Sequence, residues 1–147
     1  MFVPADPNFD PRVRASFERQ TFMRTLGVRM TALTPGKCEL TLPYQPSLCQ
    51  QHGFLHAGVV TTVSDTAAGY AAFSLMPADS SVLSVEYKQN LLAPAVGDEL
   101  IARGEVIRAG RNITVVLTHA YTRREGTEKL VGLLQATIMC MHGMQEA

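Results

Sequence analysis

The stretch HAGVVTTVSDTAAGYAAFSLMPA, residues 56–78, decides how the chain folds. Between positions 57 and 78 its only formally charged residue is Asp65, set among Ala, Gly, Val, Thr and Ser ahead of Tyr70, Phe73, Leu75 and Met76. A run of this length with so little charge reads either as a membrane span or as a helix enclosed by protein. A carboxylate, several hydroxyls and two glycines do not suit a bilayer, and the strand-rich remainder does not suit a single-pass protein. The run is therefore predicted as one long central helix, whose small residues let a sheet approach its backbone closely.

Upstream, residues 26–34 and 37–44 flank Pro35-Gly36, where proline sets the first turn position and glycine supplies a positive φ, so a β-hairpin is predicted. Residues 12–26, carrying Val13, Phe17, Phe22 and Leu26, read as a short amphipathic helix. Residues 1–9 hold two prolines and read as a loose arm. Downstream, residues 82–92, 99–108, 112–123 and 129–141 read as strands, separated by turns at 94–97, Ala109-Gly110 and Glu125-Gly126. Alternation is clearest where Val115, Leu117, His119 and Tyr121 interleave with Thr114, Thr118, Ala120 and Thr122. The pattern predicts one α+β domain over residues 1–147, an antiparallel sheet packed around a central helix.

A chain of 147 residues with 46% hydrophobic content suffices for a single core. Thirteen basic and thirteen acidic residues cancel, which argues against nucleic acid or an anionic membrane as partner. The N-terminus shows no basic stretch followed by an apolar run, so neither signal nor transit peptide is expected and a cytoplasmic location is. Cys38, Cys49 and Cys140 are odd in number, widely spaced and without a CxxC pair, so they are expected to remain thiols.

The chain contains no GxSxG elbow, no phosphate-binding GxxxxGK and no HExxH. The chemistry then falls on QQHGFLHAGVVTTVSD, residues 50–65. His56 sits where loop becomes helix, with Ala57 as first helical residue; the unpaired N–H groups there form an oxyanion site, to which Gln50 can add an amide donor. An ordinary helix start whose N–H groups meet water would show the same local pattern. Asp65 is more telling, because an ionised carboxylate in such a helix is costly unless it is functional or held by a hydroxyl or arginine as a buried structural acid. From Ala57 to Asp65 is about 12 Å along a helix axis, whereas a reacting carbon must lie about 3 Å from both donor and base. If both are catalytic, they serve different copies of the site, which requires a dimer.

HAGVVTTVSDTAAGY resembles the HGG-x6-D helix start of hotdog-fold thioesterases of the phenylacetate-degradation type, a group that includes a human fatty acyl-CoA thioesterase. The resemblance spans roughly residues 20–142 and implies a hotdog fold and hydrolysis of acyl-CoA, with no cofactor or metal, by a homodimer or a dimer of dimers. It further implies that Gln50 and the Ala57 N–H, beside His56, hold the thioester oxygen. Asp65 of the partner subunit would act as nucleophile or general base, assisted by Ser84. Gly58, Arg108, Arg111 and Asn112 would bind substrate, the last three at a turn near the CoA phosphates; a solvated turn reads the same way. Where the family carries its second motif glycine, this chain has Ala57, which keeps the N–H and adds a methyl.

Three rivals stand beside this reading. Cys49, His52 and His56, with Asp65, could converge on a metal, although Gly53 breaks the spacing and no catalytic Glu accompanies them. Alternatively, a hotdog module could bind acyl-CoA without hydrolysing it, against which stands the lone helical carboxylate. A hotdog dehydratase is disfavoured, since no D-x4-H follows Asp65.

Overall fold

The computed structural model describes residues 2–144. Two helices, α1 (Phe9–Arg19) and α2 (Thr21–Leu26), precede the hairpin β1 (Arg29–Thr34) and β2 (Lys37–Pro43). A short 3-10 turn, Pro46–Leu48, leads to the central helix α3 (Ala57–Phe73). The strands β3 (Ser80–Leu91), β4 (Glu99–Ala109), β5 (Ile113–Arg124) and β6 (Thr127–His142) follow. All pair antiparallel in one six-stranded sheet, in the order β1-β2-β4-β5-β6-β3. The hairpin, central helix and four strands agree with the pattern of the sequence, and the sheet packed on one long helix is the α+β architecture expected. Among the described residues no helix is long and apolar enough to cross a membrane.

The small residues of α3 bring helix and sheet into backbone contact. Ala67, Ala68, Ala71 and Ala72 are fully buried, and a Cβ built on Gly104 of β4 would lie 2.6 Å from the Ala67 carbonyl oxygen. Only glycine fits there. The same closeness orients β5: Thr114, Val116, Thr118, Ala120 and Thr122 are buried, whereas the larger Val115, Leu117, His119 and Tyr121 are half-exposed on the outer face. On that face Arg103 and Arg123 bridge Glu39, Glu99 and Glu128, and the two guanidinium groups hold Glu128 down at about 2.

Three expectations are corrected. The single helix over residues 12–26 is two helices, broken at Gln20, which adopts an extended conformation with ψ 94°. At about 100° per residue, Leu26 in an unbroken helix would point about 180° from Phe17. Both are buried, so the break re-aims the second segment, and Phe22 turns outward. Nor is the N-terminal arm loose over its described residues. The Ala5 N–H donates to Leu75 O at 3.2 Å, and Asp6 pairs with Arg12 at 2.8 Å. Arg12 in turn donates to Met76 O at 2.9 Å and lies over the Phe73 ring. A helix C-terminus carries unpaired carbonyls and partial negative charge, and Arg12 answers both.

The predicted central helix also ends early, at Phe73. There Ser74 Oγ donates to Ala71 O at 2.7 Å and accepts the Gly36 N–H at 2.8 Å, tying the helix end to the hairpin turn.

Candidate active site

The loop before α3 is a tight turn fixed from several sides. Gln50 N–H donates to Phe54 O at 2.9 Å and Gly53 N–H to Gln50 O at 3.0 Å, with Gly53 at φ 77°, a value that favours glycine. The Gln50 side-chain oxygen accepts the His52 N–H, which leaves its NH2 group as the end free to donate. Leu55 N–H donates to Ala95 O at 3.0 Å and His56 N–H to Leu48 O at 2.9 Å, so the helix begins on a braced backbone.

His56 is the N-cap of α3, and its Nδ1 accepts the Gly58 N–H at 2.9 Å. That bond requires an unprotonated Nδ1, so the ring caps in its neutral form with the proton on Nε2. The His56 carbonyl accepts from Val59 and Val60. Of the N–H groups that open the helix, that of Ala57 alone has no acceptor among the described residues. One amide, at the positive end of α3, is thereby free to donate. Gly58 allows this cap, since a Cβ there would lie 3.0 Å from His56 Nδ1.

Asp65 lies about two turns further along, half-buried, and accepts a hydrogen bond from Ser84 Oγ of β3 at 2.9 Å. Burial pushes its carboxyl above the usual carboxylate range, and the Ser84 hydroxyl pulls against that shift. Ala57 and Asp65 stay about 12 Å apart, as helix geometry dictates. Beside Asp65, β3 is a sheet edge exposing Leu83, Val85, Tyr87 and Leu91, each about half-exposed.

A groove of about 400 Å³ opens at Ala57. Gln50 and Ala57 line it together with Phe54, Val60, Leu91, Leu92, Pro94 and Val131, and no charged side chain does. The sequence reading missed its far wall, because LLAPA, residues 91–95, reads only as a strand end and a turn. A second groove of about 450 Å³ lies on the other side of the helix start, where Ser47, Cys49, His56 and Thr62 give it polar edges.

The remaining candidates separate. Arg108, Arg111 and Asn112 are exposed at the β4–β5 turn, and neither arginine has an ion-pair partner among the described residues. Asn112 Oδ1 faces His142 Nε2 at 3.2 Å. The rival metal grouping is not brought together: His56 Nδ1 is committed to Gly58, and Cys49 Sγ is turned to Gln45 O at 3.5 Å. No cluster of three His, Cys, Asp or Glu side chains among the described residues could hold a metal ion. The three cysteines are free thiols, and burial pushes that of Cys38 up to about 12.

Comparison with known proteins bears on this geometry. Residues 52–129 match the thioesterase superfamily. A crystal structure of a thioesterase family protein from Silicibacter pomeroyi superposes with a TM-score of 0.91 at 49% identity, covering 92% of this chain and all of that one. The 1,4-dihydroxy-2-naphthoyl-CoA hydrolase of Listeria monocytogenes is 29% identical over 78% of this chain and 90% of its own length. The E. coli PaaI protein of the phenylacetic acid degradation operon shares the fold, with a TM-score of 0.83 at 20% identity over 92% of this chain and 95% of that one.

Proposed function

The chain belongs to the thioesterase superfamily and is a thioester hydrolase of the hotdog fold, and from that membership we propose that it hydrolyses acyl-CoA to a carboxylic acid and CoA in a site shared by two subunits. The observation that carries this reading is the lone unpaired Ala57 N–H at one end of a helix whose only carboxylate, Asp65, is held by Ser84 about 12 Å away.

In this mechanism the thioester oxygen rests on the Ala57 N–H and the Gln50 amide, which strengthen their hold as negative charge develops on it. Asp65 of the partner subunit attacks the carbonyl carbon or draws a proton from the attacking water, and Ser84 orients its carboxylate. Desolvation suits the acid to this work, since a carboxylate less comfortably ionised is a better base. CoA departs as the C–S bond breaks and takes up a proton as the thiol; on the nucleophilic route water then hydrolyses the acyl anhydride left on Asp65. The unpaired Arg108 and Arg111, with Asn112, offer forked donors to the CoA phosphates. The β3 edge supplies the dimer contact. An antiparallel pairing of two copies along this edge would cover the exposed Leu83, Val85 and Tyr87.

The test is complementation. Ala57→Pro deletes the N–H yet suits the first helical turn, and Asp65→Asn removes the carboxylate; each alone should be nearly inactive. Unfolded together and reassembled, about half the dimers are mixed, each with one intact site, so thiol release from acyl-CoA should return to about a quarter of wild type per chain. A verified mixed dimer no more active than its parents overturns the shared site.

A further inference from the structure

On the reading that Ala57 N–H holds the thioester oxygen, we propose that the groove beside it is the acyl site. The Ala57 methyl then restricts the enzyme to acyl groups with an unbranched CH2 next to the carbonyl, and the apolar groove restricts it to uncharged ones.

The argument starts from bond geometry. In a helix every Cα–Cβ bond tilts toward the N-terminus, the direction in which the free N–H also points. The Ala57 methyl carbon is two bonds from its own nitrogen, roughly 2.5 Å by standard bond lengths. An oxyanion held at about 2.9 Å from that nitrogen brings the acyl α-carbon, one bond beyond the carbonyl carbon, into van der Waals range of the methyl. A methylene passes. A second carbon on that atom, as in a 2-methyl-branched chain or an aromatic ring bonded directly to the carbonyl, meets the methyl. Ala57 is exposed and lines the groove, so nothing in its own chain shields the acyl group from it.

The groove sets the rest of the class. Phe54, Val60, Leu91, Leu92 and Val131 offer only apolar contact, and Gln50 is the one polar side chain this chain gives the groove, already committed to the carbonyl. A carboxyl-bearing acyl group would be desolvated there without a cationic partner and would face the carboxylate of Asp65 of the partner subunit.

Paired esters test this, butanoyl- and 2-methylpropanoyl-CoA being isomers. Butanoyl-CoA should be preferred over 2-methylpropanoyl-CoA in kcat/KM, phenylacetyl-CoA over benzoyl-CoA, and butanoyl-CoA over succinyl-CoA by at least about tenfold. Ala57→Gly keeps the N–H and removes the methyl. It should narrow the two branching preferences by about tenfold, chiefly by raising rates on the crowded esters, and should leave the succinyl preference in place. Ala57→Val enlarges the group at the same position and should widen the branching preferences, which gives a second reading if the glycine variant folds poorly. Unchanged ratios in folded variants, or a wild type indifferent to branching, overturn the inference while the hydrolase reading stands. No thiol release from any of the five esters overturns the hydrolase reading and this inference with it.

Discussion

From Ala67 to Phe73 every residue of α3 is buried, whereas from Ala57 to Thr66 only Val60, Val63 and Ser64 are. The same sheet lies beneath both halves. At the C-terminal end the chain completes the helix itself, with Arg12 donating to the Phe73 and Met76 carbonyls and Ser74 to that of Ala71. At the N-terminal end the cap stops one amide short, and the nearby carboxylate has a single hydroxyl for company. The contrast separates two uses of one helix. Where the chain satisfies its own groups the residues set stability, and where it leaves them unsatisfied they are available to a substrate.

The largest test of that contrast is Asp65→Asn, which should lower kcat by about two orders of magnitude or more, as loss of a general base or nucleophile does. The same change should raise the Tm at neutral pH by roughly a few degrees. Because burial holds the Asp65 carboxyl above its unfolded range, the native state binds that proton more tightly and loses stability as pH rises through the raised value. The asparagine variant escapes the loss. Its advantage should therefore shrink as pH falls below that range, which melting curves across pH would record. A folded variant with near-wild-type thiol release would remove Asp65 from the chemistry.

Gly104→Ala probes the other half. Its Cβ would meet the Ala67 carbonyl oxygen at 2.6 Å, so helix and strand must part, at a cost of about 1–3 kcal/mol. Urea unfolding should show that loss while kcat of the folded fraction stays close to wild type. Full stability would mean that α3 can shift on the sheet, and that its two halves are less distinct than their contacts suggest.

His56→Ala gives the smallest expected effect, about 1 kcal/mol of helix stability through the lost cap, with a severalfold fall in thiol release as the helix start loosens. His56→Asn should restore both, because an asparagine oxygen can accept the same N–H. If asparagine restores stability and leaves activity low, the imidazole takes part in the reaction itself.

Much of this was legible without coordinates, for local reasons. A lone aspartate in a run of small residues forecasts a buried helix by composition, Pro35-Gly36 forecasts a hairpin by backbone preference, and alternation forecasts the strands. Gln50, His56, Ala57 and Asp65 could be named because they lie within one turn-and-helix segment, where residue spacing converts to distance. Ser84 is nineteen positions from Asp65, and its nomination rested on resemblance; the hydrogen bond between them is a fact of the fold.

What the sequence by itself determined, then, is the order of elements and the segment on which the proposed chemistry falls. Tertiary structure alone decided the break at Gln20, the docking of the arm through Asp6 and Arg12, the inward turn of the threonine face of β5, and the far wall of the groove from Leu91 to Val131. Each depends on what a distant segment presents: a carbonyl-rich helix end, a backbone too close for large side chains, or a strand brought alongside by pairing. Periodicity along the chain records which residues share a face. It does not record what that face will meet.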